Sequence, residues 1–314
     1  MAFTIDVDEG KWSKKVLETL LIDRTTNRNI IWGTDDYGIL GKEYYSHYPI
    51  LFPLITGDNS NVIQPRILKT KESQGNRTKE KAEVFTPSWV CNAQNNLVDN
   101  AWFEKTSVFN VENGKSWIAT TDKIEFPHKK SKTWQKYVDE RRLEITCGEA
   151  PYLVSRYDTV TGKPIDLYER IGILDRKMRV VNENTTSEDE WLKWSERAFQ
   201  SVYGFEFQGD SLLIARENFL VSYCDYMQEK LKRKPKEKEL LRIAKIVSWN
   251  LWQMDGLTYT IPYREPTEPN EQMSLFDFMK KDGNAFCIIK DWRARKNITF
   301  QNLISKEDYA NERK

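Results

Sequence analysis

Apolar residues recur along this chain at two periods, and the alternation between them predicts the order of elements. Val16, Leu17, Leu20 and Leu21 share one helical face, and Ile50–Ile55 is a second apolar piece. Otherwise residues 1–82 are rich in turn signals such as Gly33-Thr34-Asp35-Asp36, Gly57-Asp58-Asn59-Ser60 and Gly75-Asn76, which reads as an irregular N-terminal extension. At Thr86-Pro87 the pattern changes. Thr86 suits an N-cap and Pro87 the first helical position, with Val90, Ala93, Leu97, Val98 and Ala101/Trp102 following as an apolar face. A charged, Trp-bearing insertion runs over 98–142.

From there the period shortens. Leu143–Thr146 predicts a short buried strand, Cys147–Pro151 a tight turn, and Tyr152–Tyr157 the start of a helix. Val202–Phe207 predicts a second strand, Gln208-Gly209-Asp210 a turn, and Leu212 to Leu231 a long helix. Another helix over Glu237–Val247 leads into 249–257, and 285–292 ends in a short apolar strand. Strands alternating with helices predict an α/β domain with a largely parallel sheet. We divide the chain into an extension (1–82) that is a candidate DNA-contacting region, a main domain (83–300) and a tail (301–314).

Composition narrows the chemistry. Of 314 residues 39% are hydrophobic, enough for a core, and 48 Lys plus Arg against 47 Asp plus Glu leave a net charge of +1. Nucleic-acid binding would therefore rest on local patches. Four Cys without a C-x-x-C pair and two distant His argue against a zinc ribbon, a thioredoxin site, a disulfide scaffold and a Ser–His–Asp relay. We expect no metal. No apolar run approaches the ~18 residues of a membrane span, and the amino end lacks a signal-peptide core, so the expected location is cytoplasmic.

At the carboxyl edge of a parallel sheet a nucleoside ligand needs three things. The first turn must let backbone N–H groups approach, and Cys147-Gly148-Glu149-Ala150-Pro151 suits that. The next strand end needs an acid for ribose hydroxyls, which Glu206 supplies, followed by Phe207. A later strand end needs an acceptor for the adenine amine, and Asp255-Gly256 follows one.

With these residues in view, the chain resembles the N6-adenine DNA methyltransferases of restriction–modification systems. Their G-x-F-x-T-P segment is matched by Phe85-Thr86-Pro87 without the leading Gly. Their D-P-x-C-G-S-G-x-F-L turn is matched by Glu144–Leu153, with Ala150 or Pro151 replacing the second Gly. Their G-x-E…A-R-x-N-L segment is matched by Gly204, Glu206, Ala215, Arg216, Asn218 and Leu220, and their G-D-x-L by Met254–Leu257. The matches span about 83–257.

The resemblance implies a three-layer, Rossmann-like methyltransferase domain binding S-adenosyl-L-methionine. The cofactor residues would be Phe85, Thr86, Pro87, Cys147, Gly148, Glu149, Ala150, Tyr152, Glu206, Phe207, Asp255 and Gly256. The family's Asn/Asp-Pro-Pro-aromatic loop after its fourth strand has Lys290-Asp291-Trp292 as its counterpart, without the prolines. Asp291 would accept from the target amine and Trp292 would stack on the flipped base. Lys290, Arg293, Arg295 and Lys296 would contact double-stranded DNA. The missing prolines and missing recognition domain favour an alternative: a non-catalytic cofactor- or DNA-binding subunit that works with a specificity or nuclease partner. Gln272-Met273-Ser274-Leu275-Phe276 resembles the bacterial sliding-clamp pentapeptide, with Gln272, Leu275 and Phe276 as anchors, or else packs its loop onto the core.

Overall fold

The computed structural model describes residues 12–69, 86–264 and 286–304. Phe85 and the 272–276 pentapeptide lie outside the described residues.

The protein is a mixed α/β structure built around three parallel strands. These are β3 (Arg142–Glu144), β4 (Val202–Glu206) and β5 (Leu251–Gln253), in that spatial order. Two antiparallel hairpins stand apart from this sheet: β1 (Asn110–Asn113) with β2 (Ser116–Ala119), and β6 (Ile288–Asp291) with β7 (Lys296–Thr299). The AFCII segment is therefore not a fourth strand of the parallel sheet. Its strand pairs with β7, Phe286 bridges to Thr260, and the segment lies over the sheet's face.

The β3–β4 crossover carries α4 (Ile173–Asn184) and α5 (Glu188–Gln200), and the β4–β5 crossover carries α6 (Gly209–Leu231) and α7 (Glu237–Asn250). Successive right-handed crossovers in one direction place all four helices on one face. Burial agrees. Val202 and Leu251 join the helix-side core with Leu174, Phe199, Leu220 and Val247. Tyr203, Phe205, Trp252 and Met254 face the other way, against Cys287, Ile289 and Phe300. α6 is buried without a break from Gly209 to Tyr223, as befits a helix enclosed on all sides.

The N-terminal segment belongs to the same core. Helix α1 (Lys14–Leu21) buries Val16, Leu17, Leu20 and Leu21 against α7 and α6. Arg216, fully buried, donates to the carbonyls of Leu20, Ile22 and Leu251. Gly209 must be glycine here, because a Cβ would stand 1.9 Å from the Ile31 carbonyl oxygen.

Two local expectations are corrected. Tyr152–Tyr157 is not helical but runs from a turn to a bridge between Tyr157 and Pro164, and the next α-helix begins at Ile173. This path is set by tight packing, since a Cβ at Gly172 would meet the Leu153 carbonyl at 2.5 Å. In α2 (Ser88–Phe103) Pro87 is the N-cap rather than the first helical residue, and the Asp158 carboxylate accepts from the Ser88 N–H at 2.8 Å. The buried face of α2 is also the polar one. Asn92, Asn95, Asn96 and Asp99 are buried, while Leu97 is 70% exposed. Three of them serve Arg176 on α4, which donates to Asp99 at 2.6 Å, Asn92 at 2.8 Å and Asn96 at 2.7 Å, while Asn95 donates to the carbonyls of Tyr152 and Ile171. A short helix, α3 (Trp134–Asp139), leads into β3.

Candidate cofactor site at the carboxyl ends of the sheet

Glu144 and Glu206 end neighbouring strands, β3 and β4. After Glu144 the chain turns sharply, with positive φ at Thr146 (50°), Gly148 (53°) and Ala150 (64°). Ala150 occupies the position where the resemblance has its second glycine, and left-handed backbone at a residue with a Cβ costs ~1–2 kcal/mol. The turn is pinned to β4. Glu206 accepts from Gly148 N–H at 2.9 Å, and its other oxygen accepts from Phe207 N–H at 2.9 Å and Gln208 N–H at 3.2 Å. Glu206 thus organises three backbone donors at the strand end.

Glu144 is less satisfied. Its Oε2 is sealed from solvent and has no hydrogen-bond partner. Burial, and next the charge of Glu206, push its carboxyl well above the usual range, against a Tyr152 N–H that favours the anion. Thr86 and Tyr152 reach this corner too. Tyr152 interacts with Thr86 and Cys91, and the Cys91 thiol lies 3.6 Å from the Thr86 carbonyl oxygen. The Cys91 and Cys147 thiols are both pushed up by burial first and by Glu144 next, so neither is a ready nucleophile.

Not every expected residue faces the strand ends with a free group. Glu149 is buried, accepting from Arg66 N–H at 2.6 Å and the Tyr157 hydroxyl at 2.7 Å, while its carbonyl takes Asn218 Nδ2 at 3.2 Å. It is a structural acid that ties the turn to α6. Asp255 closes its own turn, its Oδ1 accepting from Leu257 N–H at 2.8 Å and Thr258 N–H at 3.4 Å. Gly256 lies close to the Phe205 ring, which a Cβ would approach to 3.0 Å. Leu257 is 92% exposed beside this turn, and the Phe207 ring stacks edge-on against Tyr263 at 5.4 Å.

Residues of the N-terminal segment, which sequence reasoning set down only as turns, complete the rim. Gly33 has φ 70°, and a Cβ there would stand 2.6 Å from the Phe207 carbonyl oxygen. Gln253 clamps the segment to β5, exchanging hydrogen bonds with Ile31 at 2.9 Å in both directions and donating to Phe207 O at 2.8 Å. Asp210 accepts from Tyr37 at 2.7 Å and Lys69 at 2.9 Å. The Gly33-Thr34-Asp35-Asp36 turn was the one available signal.

The proposed catalytic pair stands at the opposite end of the sheet, and this corrects the expectation. Trp292 Nε1 donates to Asn250 at 2.7 Å, one residue before β5 begins. Asp291 caps its own hairpin turn through Arg293 and Ala294 N–H, both at 3.0 Å, and pairs with Arg141 before β3 at 3.3 Å. β4 separates them from Glu206 by its own length, ~3.3 Å per residue. Lys290 lies 5.1 Å from the ring centres of both Trp249 and Trp292. Arg293 pairs with Asp139 at 3.6 Å. Arg295 and Lys296 are exposed at the same end. Asp291, Trp292, Arg293 and Arg295, with Asp139, Arg141 and Tyr203, border a cleft of about 380 Å³ between the strand starts and the hairpin.

No family model, no curated protein and no solved structure matches this chain. Among the described residues no helix is long and apolar enough to cross a membrane.

Proposed function

We propose that this chain is the cofactor-holding subunit of an S-adenosyl-L-methionine-dependent methyltransferase acting on exocyclic amines in DNA, of the adenine-N6 kind, which relies on a partner for the base-holding loop. The observation that carries this reading is the convergence of Glu144 and Glu206 at neighbouring strand ends, with the sealed Glu144 oxygen unpartnered. A methionine end carrying an ammonium and a sulfonium fits this donor set, because a buried carboxyl raised by a neighbouring carboxylate is relieved by a cation. When bound, the cofactor supplies an activated methyl group. Glu144 takes the ammonium, Glu206 fixes the turn and meets the ribose edge, and Phe207, Asp255 and Leu257 border the base. Thr86 and Tyr152 close the methionine side. The three-layer Rossmann-like arrangement is part of the same proposal.

Asp291 and Trp292 lie away from these strand ends, so the alternative of a partner-dependent subunit replaces a self-sufficient enzyme. Calorimetric titration with S-adenosyl-L-methionine tests the reading. Each charge-assisted hydrogen bond contributes ~1.5–3 kcal/mol, so Glu144→Gln and Glu206→Gln should each weaken binding about 10- to 150-fold. Asp291→Asn should leave it unchanged. A folded wild type that shows no heat of binding removes the proposal.

A further inference from the structure

The parallel sheet is one-sided in sequence as well as in layers. β3, β4 and β5 follow one another in space, so β3 is an edge. In open α/β sheets the ligand crevice forms where strand order reverses, which requires a strand on the far side of the first one. Among the described residues nothing pairs with that side. Arg142 N–H donates to Ser201 O, so alternate residues of β3 bond to β4, and the N–H and C=O of Leu143 are directed to the open side.

The flank of this edge has a defined character. Leu143 is 41% exposed and Ile145 68% exposed. Leu143 borders an apolar groove of about 110 Å³ with Tyr203, Trp252, Ile289, Ile298 and Phe300. Beside the start of β3, Arg141, Arg197, Arg293 and Arg295 outnumber Asp139 and Asp291. Arg142 also has a buried, unpartnered Nη2 on this strand. The carboxyl end of the same edge is Glu144.

We propose that the open edge of β3 is an assembly surface for a strand of another polypeptide running parallel to it. That strand is acidic where it begins, beside the arginines, and apolar at the position that enters the Leu143 groove. A parallel strand starting there ends beside Glu144, so the loop after it lies at the cofactor site. This places the partner's base-holding loop, and it rests on the cofactor reading above. The charge pattern selects the occupant: a basic-led strand would meet surplus arginine, and an acidic-led strand running antiparallel would put its acids against Glu144 and Glu206.

The probes are two synthetic fluorescent peptides, EDVIVIGN and KRVIVIGN. Binding is read by anisotropy, protection of the Leu143 amide by hydrogen exchange, and S-adenosyl-L-methionine binding is titrated in the same samples. The acid-led peptide should bind several-fold tighter, slow exchange at Leu143, and lose its advantage in Arg141→Glu, where the base-led peptide should gain. Leu143→Pro removes the outward N–H while sparing the ladder to β4, as proline is tolerated on edges, and should cost about tenfold. Arg141→Glu keeps the test decisive if the proline variant fails to fold. The proposal is overturned if neither peptide slows exchange at Leu143, if the two bind alike, or if Leu143 is already slow in the free chain. The last result would mean that the edge is capped by the chain's own residues or by a second copy pairing Arg142-Leu143-Glu144 antiparallel with itself. Failure here with cofactor binding intact sinks the edge alone, whereas peptide binding without cofactor binding sinks the functional reading alone.

Discussion

Glu144 is the residue on which the proposed chemistry turns. Burial and Glu206 raise its carboxyl, so folding favours its neutral form more than the unfolded chain does. A group raised on folding contributes stability that is complete below the ordinary carboxylate range and lost as pH rises through its shifted value. Glu144→Gln, neutral throughout, should therefore melt higher than the wild type at pH 8, and the gap should close near pH 4. Melting curves across that range check it, and a constant gap contradicts the assignment. Cofactor affinity should rise over the same interval in the wild type, as Glu144 ionises to meet the ammonium, and stay flat in the variant. The strand-end acid Glu206 was legible in the sequence, because a carboxylate after a short apolar run and before a turn is a recognisable pattern. Glu144 entered only as one letter of a matched turn. Its isolation depends on what packs around it, which sequence does not encode locally.

Among the elements, α2 shows where periodicity misleads. The apolar residues that mark it in the sequence include Leu97 and Val98 on the exposed side, while Asn92, Asn96 and Asp99 turn inward. The cause is Arg176, 1% exposed on α4, whose guanidinium needs these acceptors. Tyr137 adds a hydrogen bond to Asp99 at 3.0 Å, and burial raises its phenol. A buried ion pair is costly to break one side at a time, because the remaining charge stays behind. Arg176→Met should destabilise by ~3–5 kcal/mol, whereas Leu97→Ser on the exposed side should change stability by less than ~0.5 kcal/mol. Denaturant midpoints distinguish them. The helices α1 and α7 were readable because their buried positions are mostly apolar at helical spacing, and α6 because its apolar residues keep that spacing within an unbroken buried run. Of the hairpin, β6 was readable as strand but β7 and their pairing were not, since a short apolar run does not name its partner.

Across the whole molecule, the matched A-R-x-N-L segment is part of the scaffold. Arg216 is fully buried and its guanidinium is pushed down to about 9, by burial above all. It spends its donors on carbonyls of α1, α7 and β5, while Asn218 holds Glu149 and Tyr157. Arg216→Met should cost ~2–4 kcal/mol and loosen the N-terminal segment first. Amide exchange should accelerate over 14–32 before it does in β4, and uniform acceleration contradicts this division. The extension was read as separate because its turns and polar residues carry no period, and its docking depends on contacts made far away in sequence.

Those distant contacts bear on how the chain comes to be folded. Ile31 bonds to Gln253, 222 residues later, and Leu20 to Arg216, 196 residues later. At synthesis rates of ~5–20 residues per second, the first helix waits roughly 10–45 s for the residues that hold it. Its apolar face is uncovered meanwhile, so the amino end is the part most in need of a chaperone during translation, and the last to settle.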